Sequence, residues 1–392
     1  MEWLEQEKQI FLSVFRRLPV EIDRGEGCYL IDRSGRKYLD FLGGLGVNAL
    51  GYSHPVVIEA IQRQLRRNMH LSNYFIQDIQ IELAQKILQL SGYDRLFFSN
   101  SGTESIEGIL KLVKKYANFY NKHQIITFQN SFHGRSIGSL SITAQEKYQK
   151  EFRPLLPDIV DLPFNDPGVL KETIGPQTAA IFLEFIQGEG GVVPIKEEVV
   201  EILAEAQREY DVLIIADEIQ TGVGRTGKFL ACQHYPIKPD VVAIAKAIGG
   251  GLPLGAFLIT ERLNEILTRG DHGTTFGGNP VACAAGLATL QVMEQEKIFD
   301  HVVSLGKFLR ESLFSLRQKF PALIKEIRGF GLMQGMEMSV ETFPIVLEGL
   351  KHGVIFNSTA KKVLRFLPPL IIEKEQVVQG LEVLEKILKQ MD

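Results

Sequence analysis

Residues 212–220 read Val-Leu-Ile-Ile-Ala-Asp-Glu-Ile-Gln, and residues 241–251 read Val-Val-Ala-Ile-Ala-Lys-Ala-Ile-Gly-Gly-Gly. Each stretch begins as a continuous apolar run, as strands do when helices cover both faces of a parallel sheet. The first run ends in Asp217 and the second in Lys246. Open α/β sheets bind ligands at the carboxyl edge of their strands, so adjacent strands would bring both charges to a ligand site. Strand-end charges also occur simply where a buried strand meets water, so the pair alone does not decide the function.

The rest of the chain alternates strand-like runs with segments of helical periodicity, a pattern typical of α/β folds. Further strands are predicted at Leu96–Ser99, Ile125–Phe128, Ala179–Glu184 and Ala256–Thr260. Helices are predicted at Pro55–Leu65, Glu104–Ala117, Glu197–Glu209, Val281–Glu294 and Val302–Gln318. Together these segments predict a mostly parallel central sheet with helices on both faces.

The pattern changes near residue 291, where shorter strands lie between long helices. Strands are predicted at Gly331–Met338, Val354–Asn357 and Val363–Leu367, followed by a last helix at Glu373–Lys389. A hairpin is expected at Cys28–Phe41, around the Asp-Arg-Ser-Gly turn at 32–35, and it can pack with this late unit. We therefore predict an N-terminal segment 1–45 that packs with the small domain, a large cofactor-binding domain 46–290 and a small α+β domain 291–392.

Composition disfavours several classes of partner. Lys and Arg number 43 against 47 Asp and Glu, a net charge of −4 that argues against nucleic acid binding. The three cysteines are far apart and form no CxxC pair, so neither a disulfide framework nor a metal site is expected. The charged start of the chain predicts an amphipathic helix and not a signal peptide. No apolar run reaches the roughly 20 residues that a membrane span needs, and a cytoplasmic protein is expected.

Two glycine-containing segments carry phosphate-binding signals. Residues 96–104, Leu-Phe-Phe-Ser-Asn-Ser-Gly-Thr-Glu, run from a strand into a capping box, and the free N–H groups of such a helix start favour an anion. By itself this signal more often marks a helix that is merely well capped, because such boxes are common. Residues 220–229, Gln-Thr-Gly-Val-Gly-Arg-Thr-Gly-Lys-Phe, match a dinucleotide fingerprint and most of a nucleotide-hydrolase loop. Phe229 replaces the hydroxyl residue that binds magnesium, and the glycines do not follow their strand directly, so we predict a flexible loop and keep nucleotide hydrolysis as a minor alternative.

The pair Asp217 and Lys246 has a specific chemical meaning. A cofactor that transfers amines needs a lysine to form an imine and a carboxylate to keep its pyridine nitrogen protonated. Once a substrate displaces that lysine, the free amine can carry the Cα proton to the cofactor. These residue types at the ends of two neighbouring strands therefore point to amine transfer.

The chain also contains an ordered set of longer motifs: FFSNSGTES (97–105), SFHGRSIGSLSIT (131–143), LEFIQGEGGVVP (183–194), ADEIQTGVGRTGK (216–228), AIAKAIGGGLPLGA (243–256), HGTTFGGNPVACAAG (272–286), IRGFGLMQG (327–335) and VLRFLPPLII (363–372). As a set these motifs resemble the class III (subgroup II) aminotransferases, and most of all the acetylornithine aminotransferases. The resemblance implies the PLP-dependent transferase fold type I, pyridoxal 5'-phosphate (PLP) as cofactor and a homodimer with active sites across the subunit interface.

The resemblance also implies roles for individual residues. Gly102 and Thr103 would bind the cofactor phosphate, joined by Thr275 of the partner subunit. Phe132 would stack on the ring, Asp217 would pair with the pyridine nitrogen and Gln220 would contact the ring hydroxyl. Lys246 would form the Schiff base. The substrate residues would be Arg135 and Arg365, which bind carboxylates, with Glu189 and Thr274 beside them. Glu189 is expected to pair with Arg365 and to make room for a second substrate of different shape.

The implied reaction moves the terminal amine of N²-acetyl-L-ornithine, or of a close N-acylated analogue, to 2-oxoglutarate in arginine biosynthesis. Leu45 supports an acylated donor, because its family position is a tyrosine where free ornithine is used. The alternatives are another class III ω-amine transaminase (for ornithine, succinylornithine, an N-modified lysine intermediate or 4-aminobutyrate), a PLP-dependent aminomutase and a binding protein without activity. Three departures bear on the site: Phe185 replaces a family proline, Ile106 a family asparagine and Ile76 a family tyrosine.

Overall fold

The computed structural model describes residues 2–391, which form seventeen strands and thirteen helices. The strands are β1 Ile22–Glu26, β2 Tyr29–Asp32, β3 Lys37–Asp40, β4 Arg95–Ser99, β5 Gln124–Phe128, β6 Ile159–Leu162, β7 Thr178–Leu183, β8 Ile186–Gln187, β9 Val193–Pro194, β10 Leu213–Asp217, β11 Val241–Ile244, β12 Gly255–Ile259, β13 Ile324–Phe330, β14 Met333–Met338, β15 Val354–Ile355, β16 Asn357–Thr359 and β17 Val363–Phe366. The helices are α1 Glu2–Ile10, α2 Gly43–Gly46, α3 Pro55–Arg67, α4 Asp78–Ser91, α5 Gly102–Phe119, α6 Ile137–Ser141, α7 Glu146–Gln149, α8 Pro167–Thr173, α9 Glu197–Tyr210, α10 Pro280–Gln295, α11 Ile298–Lys319, α12 Phe343–Lys351 and α13 Lys374–Leu388. No helix within residues 2–391 combines the length and the apolar character needed to cross a membrane.

Seven strands form the central sheet, in the order β4-β12-β11-β10-β7-β5-β6. Successive side chains of a strand point to opposite faces, and both faces here are covered. On β10, Leu213 and Ile215 pack in the core that includes α5, while Ile214 and Ala216 pack in the larger core that includes α9 and α10. The continuous apolar runs of the sequence therefore reflect burial on both faces, as predicted.

The central sheet departs from the prediction at two strands. Ala256–Thr260 was expected among parallel strands, but β12 runs antiparallel to both β11 and β4. The connection 245–254 is shorter than the crossover of about a dozen residues that a parallel pair requires, so the chain turns back directly. The edge strand β6 was not predicted; it pairs with β5 only and carries an exposed Asp161.

The C-terminal part contains a four-stranded antiparallel sheet in the order β13-β14-β17-β16. The predicted strand Gly331–Met338 is a hairpin arm whose partner, β13, was missed. The predicted strand Val354–Asn357 is divided between two sheets, because Val354–Ile355 pairs with β3 whereas Asn357 starts β16. The N-terminal hairpin β2–β3 is present and joins the late segment through β15, as expected. The division at residues 45 and 290 stays a prediction.

The loop 221–229 is not flexible, contrary to the prediction. Residues 221–226 are buried, and the backbone N–H of Val223 donates to Phe229 O at 2.6 Å. Arg225 is 2% exposed, and its Nη1 donates to Leu332 O at 3.1 Å and Pro368 O at 2.5 Å. Burial lowers the pKa of Arg225 to about 9. The glycines of this loop therefore allow close packing, and its arginine fastens the large sheet to the C-terminal part.

Candidate active site

The carboxyl ends of β4, β5, β7, β10 and β11 meet around a cavity of about 440 Å³. Every predicted cofactor residue except Thr275 lines this cavity: Gly102, Thr103, Phe132, Asp217, Gln220 and Lys246. These six residues lie at or just after the ends of four strands, β4, β5, β10 and β11, which is why positions spread from 102 to 246 in the sequence converge. The strand-end rule of open α/β sheets thus locates the site.

Lys246 follows β11 and opens a single 3₁₀ turn, Lys246–Gly249. Its φ is +52°, a left-handed conformation that costs a non-glycine residue about 1–3 kcal/mol and that clusters at functional sites. Its amine forms no ion pair or hydrogen bond with any other residue from 2 to 391. Burial and the nearby Arg365 lower the pKa of Lys246, against the opposing carboxylates of Asp217 and Glu189. The amine is therefore more readily neutral, as a nucleophile must be.

Asp217 ends β10 and is held on both oxygens. Oδ2 lies 2.7 Å from Nδ1 of His133, and Oδ1 accepts a hydrogen bond from the backbone N–H of Ile219 at 3.0 Å. Burial alone would lower the pKa of His133, but the bond to Asp217 raises it above its ordinary value. No site role was predicted for His133 from the sequence. Its position beside Phe132 was the one signal that placed it near the site.

Glu184, directly after β7, is a second buried carboxylate of the cavity, and no site role was predicted for it. Its Oε2 accepts from the backbone N–H of Phe132 at 3.1 Å, and its Oε1 accepts from the N–H of Gly188 at 3.0 Å. Burial raises the pKa of Glu184 to about 7. Glu184 thus fixes the backbone of two cavity segments and adds charge that varies near neutral pH.

The helix α5 opens onto the cavity at Gly102. Its N-cap Ser101 accepts from the N–H of Glu104 at 3.2 Å, and Glu104 in turn accepts from the N–H of Asn100 at 2.7 Å. The Ser101 half of the predicted capping box is present, whereas the Glu104 carboxylate binds the N–H of Asn100 and not that of the N-cap Ser101. N–H groups of the first turn stay available to an anion. A Cβ at position 102 would lie 2.6 Å from Cδ1 of Ile219, so any larger residue there would have to displace the Ile219 side chain.

Arg365 lies on β17 next to the cavity, behind residues that line it, and is 2% exposed. Its Nη1 donates to Glu189 Oε1 at 2.7 Å and to Gln220 Oε1 at 3.0 Å. Burial would raise the pKa of Glu189, but Arg365 outweighs it and the pKa is lowered. The ion pair expected from the sequence is therefore present. Loss of Glu189 alone would leave a buried cation without its counter-charge, a state that favours another carboxylate in its place.

Arg135 lies at the exposed mouth of the site. Its guanidinium carbon is 3.9 Å from the ring centroid of Tyr148 and 5.3 Å from that of Phe132. Its backbone N–H donates to Thr103 Oγ1 at 3.4 Å. The two predicted carboxylate-binding arginines thus differ in surroundings: Arg365 is buried and paired, whereas Arg135 is exposed and carries no ion pair with any residue from 2 to 391.

Besides Arg365 and Arg135, four predicted positions do not line the cavity. Thr274 accepts from Asn100 Nδ2 at 3.2 Å and so borders the start of α5. Thr275 is exposed and does not line the cavity of its own chain. Leu45 is 44% exposed in a left-handed turn, and Ile76 is 90% exposed. The roles predicted for Thr275, Leu45 and Ile76 therefore stay predictions.

Comparison with known proteins identifies the family. Residues 13–388 match the family described as Aminotransferase class-III. The chain is 43% identical to the acetylornithine aminotransferase of Methanocaldococcus jannaschii, over 99% of this chain and 98% of that one, and 46% identical to that of Aquifex aeolicus, over 96% and 99%. This protein is a class-III aminotransferase.

Two solved structures show the same fold as this aminotransferase. The ornithine aminotransferase from Toxoplasma gondii superposes with a TM-score of 0.95 at 32% identity, covering 100% of this chain and 95% of that one. The acetylornithine aminotransferase from Elizabethkingia anophelis gives a TM-score of 0.89 at 33% identity, covering 99% and 98%. The α/β architecture predicted from the sequence is therefore that of the PLP-dependent transferases.

Class-III aminotransferases use PLP, and the cavity of this enzyme fits it. Three features match a carbonyl, a ring nitrogen and a phosphate: a half-buried lysine with no ion pair to any residue from 2 to 391, a buried carboxylate fixed on both oxygens, and an open helix N-terminus. Lys246, Asp217 and Gly102–Thr103 would hold these three groups. When bound, PLP supplies an electrophilic carbonyl carbon and a ring that accepts electrons.

The aminotransferase tolerates both core departures from the family motifs. Phe185, in place of a proline, is fully buried against Tyr235 at 5.2 Å between ring centroids. The turn beyond it still forms, because Ile186–Gln187 pairs with Val193–Pro194. Ile106, in place of an asparagine, is fully buried in the core of α5. Neither change disturbs a residue that lines the cavity.

Proposed function

We propose that this class-III aminotransferase moves the terminal amine of N²-acetyl-L-ornithine to 2-oxoglutarate, giving the semialdehyde and L-glutamate, in arginine biosynthesis. The observation that carries the proposal is a pair of arginines that contact residues lining one cavity: Arg365 is buried and paired with Glu189, and Arg135 is exposed beside Phe132 and Thr103. The sequence relatives named above carry the same activity in their names. Two cations in one site suit a five-carbon dicarboxylate.

The arrangement accounts for two substrates of different shape. Glutamate has a carboxylate beside its reacting amine, and this group would replace Glu189 on Arg365 while the second carboxylate binds Arg135. The reacting carbon of acetylornithine carries no carboxylate. Glu189 would then stay on Arg365, and the distant α-carboxylate would bind Arg135. Arg365 is therefore paired with a carboxylate in both half-reactions, so the buried cation is never left without a counter-charge.

Lys246 and Asp217 would carry the proton chemistry. Lys246 would hold PLP through its amine in the resting enzyme. When the substrate amine takes its place, Nζ is free to move a proton from the substrate carbon, which suits an amine of lowered pKa. Asp217, with its orientation set by His133 and the N–H of Ile219, would keep a proton on the ring nitrogen. Phe132 would orient the ring by stacking, and Gln220 would contact its hydroxyl.

The donor is tested by half-reactions of the PLP form with acetylornithine, ornithine, succinylornithine, putrescine and 4-aminobutyrate. Acetylornithine is expected to convert the cofactor spectrum with the highest kcat/KM of the panel, and 2-oxoglutarate is expected to restore it. Faster reaction of ornithine or 4-aminobutyrate would contradict the acylated donor. If no 2-oxoglutarate were consumed in the coupled assay, an aminomutase would be favoured instead.

We also propose a homodimer in which Thr275 reaches the partner subunit's site. Thr275 lies in a surface with large exposed apolar side chains, Tyr74 at 94%, Ile76 at 90% and Phe276 at 56% exposure. Asn73 Nδ2 fastens this segment to Thr274 O at 3.2 Å, so the two loops form one surface. Exposed apolar patches of this kind mark interaction sites. Sedimentation equilibrium should give about twice the chain mass of 44.0 kDa; a fully active monomer would contradict the proposal.

The cytoplasmic location is likewise proposed and rests on the cysteines. Cys28, Cys232 and Cys283 are all free and buried. Burial raises the pKa of Cys28 to about 12 and that of Cys283 to about 12, which keeps both thiols protonated and unreactive. Free thiols fit a reducing compartment.

A further inference from the structure

The guanidinium of Arg365 has a third contact that the site residues considered so far do not explain. Its Nε donates to Oδ1 of Asn357 at 2.8 Å, while Nη1 serves Glu189 and Gln220. Asn357 begins β16 and stands directly opposite Arg365 in the antiparallel pairing of β16 with β17. The arginine is thus held at one nitrogen by a neutral side chain from its own sheet and at another by groups of the large sheet's loops.

The two kinds of contact use different parts of the guanidinium. Its N–H groups lie in a rigid planar fork, so a bond at Nε fixes the plane of the whole group. Nη1, where Glu189 binds, belongs to the end of the fork that a carboxylate can approach. A substrate carboxylate can therefore displace Glu189 from Nη1 while the bond at Nε persists.

We propose that Asn357 is a positioning residue that keeps Arg365 oriented for the substrate carboxylate while Glu189 is displaced. This inference rests on the proposed function, in which glutamate and 2-oxoglutarate use Arg365 and acetylornithine does not. An amide oxygen suits this role because it fixes the arginine without cancelling its charge. An aspartate at the same place would add a negative charge and compete with the substrate carboxylate.

The same short strand also supports the other partner of the ion pair. Thr359, two residues after Asn357 and on the same face of β16, donates from Oγ1 to the backbone oxygen of Glu189 at 3.0 Å. The side chain of Glu189 is not held by this bond, so it can leave Arg365 while its backbone stays fixed. One edge strand therefore fixes both partners of the exchange and leaves only the carboxylate of Glu189 free to move.

The inference is tested with Asn357→Leu, which keeps the size of the side chain and removes the acceptor, in separate half-reactions of the PLP form. We expect the apparent Kd for glutamate to rise about ten-fold, the size expected for a hydrogen bond to a charged group. The half-reaction with acetylornithine is expected to stay within about two-fold of wild type, because Glu189 covers Arg365 there. Asn357→Asp should also weaken the binding of glutamate. The aspartate keeps the acceptor oxygen, but its negative charge competes with the substrate carboxylate for Arg365.

Two comparison variants separate positioning from a general structural effect. Ser358→Ala removes a hydroxyl on the opposite face of the same strand, where Oγ contacts Thr342 Oγ1 at 2.6 Å, and should leave both half-reactions unchanged. Glu189→Ala should have the opposite effect to Asn357→Leu. It leaves Arg365 without a counter-charge when acetylornithine is bound, so it should impair the acetylornithine half-reaction more than the glutamate half-reaction. Thermal midpoints and bound PLP are measured for all four variants.

The outcomes distinguish the inference from the function on which it rests. If the wild-type enzyme does not react with glutamate, the proposed function fails before Asn357 is considered. Suppose that wild type reacts with both substrates. If Asn357→Leu then impairs both half-reactions equally, or impairs neither, Asn357 has no selective role and the inference is wrong. Equal glutamate affinity in Asn357→Asp and wild type would also overturn it.

Discussion

Lys246→Ala is expected to lower kcat/KM by at least about 10³-fold, in the upper part of the range for loss of a general acid–base group. The variant loses the amine that anchors the cofactor and the one that moves the substrate proton, and no other lysine lines the cavity formed by residues 2–391. The visible absorption band of the protein-bound cofactor should disappear with the activity. Steady-state kinetics and absorption spectra of the purified variant measure both effects.

Borohydride reduction provides the matched control for Lys246. In wild type, it should attach the cofactor to one peptide, the one that contains Lys246, and in Lys246→Ala to none. Lys238→Ala removes a lysine whose Nζ contacts Gly92 O at the opposite side of the sheet, and it should keep the band and the rate. A labelled peptide other than that of Lys246 would refute the assignment.

Asp217→Asn is expected to lower kcat by about 10²–10³-fold, the range seen when one electrostatic stabiliser is removed. The substitution keeps the shape of the side chain but removes the negative charge that would hold a proton on the ring nitrogen. His133 then loses the partner that raises its pKa. PLP should remain bound, because Lys246 and the start of α5 are unchanged, so the loss should appear in the rate and in a shifted cofactor spectrum.

Asp240→Asn is the matched control for Asp217. Asp240 is also buried, at 2% exposure, but it lies before β11 and pairs with Arg262 at 2.6 Å. Its substitution should lower the thermal midpoint and leave kcat within about two-fold of wild type, since the charge is far from the cavity. Equal losses of rate in both variants would show that any buried carboxylate is required for folding and that Asp217 has no special role.

The five inner strands of the large sheet, β5, β7, β10, β11 and β12, were predictable because they are buried on both faces and read as continuous apolar runs. Their carboxyl ends, and with them Asp217 and Lys246, follow from that pattern. The direction of β12 was not predictable from the sequence. Whether β12 pairs parallel or antiparallel with β11 depends on how the short connection 245–254 turns, and no residue pattern encodes that turn. The division of residues 354–357 between two sheets was missed for the same reason.

The side chains that support the site were harder to predict than those that line it. Asn357 contacts Arg365 only because two strands pair in one register, which the sequence does not display. His133 and Glu184 act through hydrogen bonds to groups 84 and 52 positions away, so their partners depend on the fold. The loop at 221–229 seemed mobile from its glycines, whereas Arg225 fastens it to carbonyl groups of the C-terminal part.

The two sheets supply different groups to the site of this enzyme. The large sheet supplies Lys246, Asp217 and the start of α5, whereas the antiparallel C-terminal sheet supplies Arg365 and Asn357. Recognition of the glutamate and 2-oxoglutarate carboxylate can therefore change during evolution through Asn357 and Thr359 of β16, without alteration of the strands that support the chemistry. A directed-evolution library for new amino acceptors should accordingly randomise positions 357 and 359 and leave residues 213–217 and 241–246 untouched.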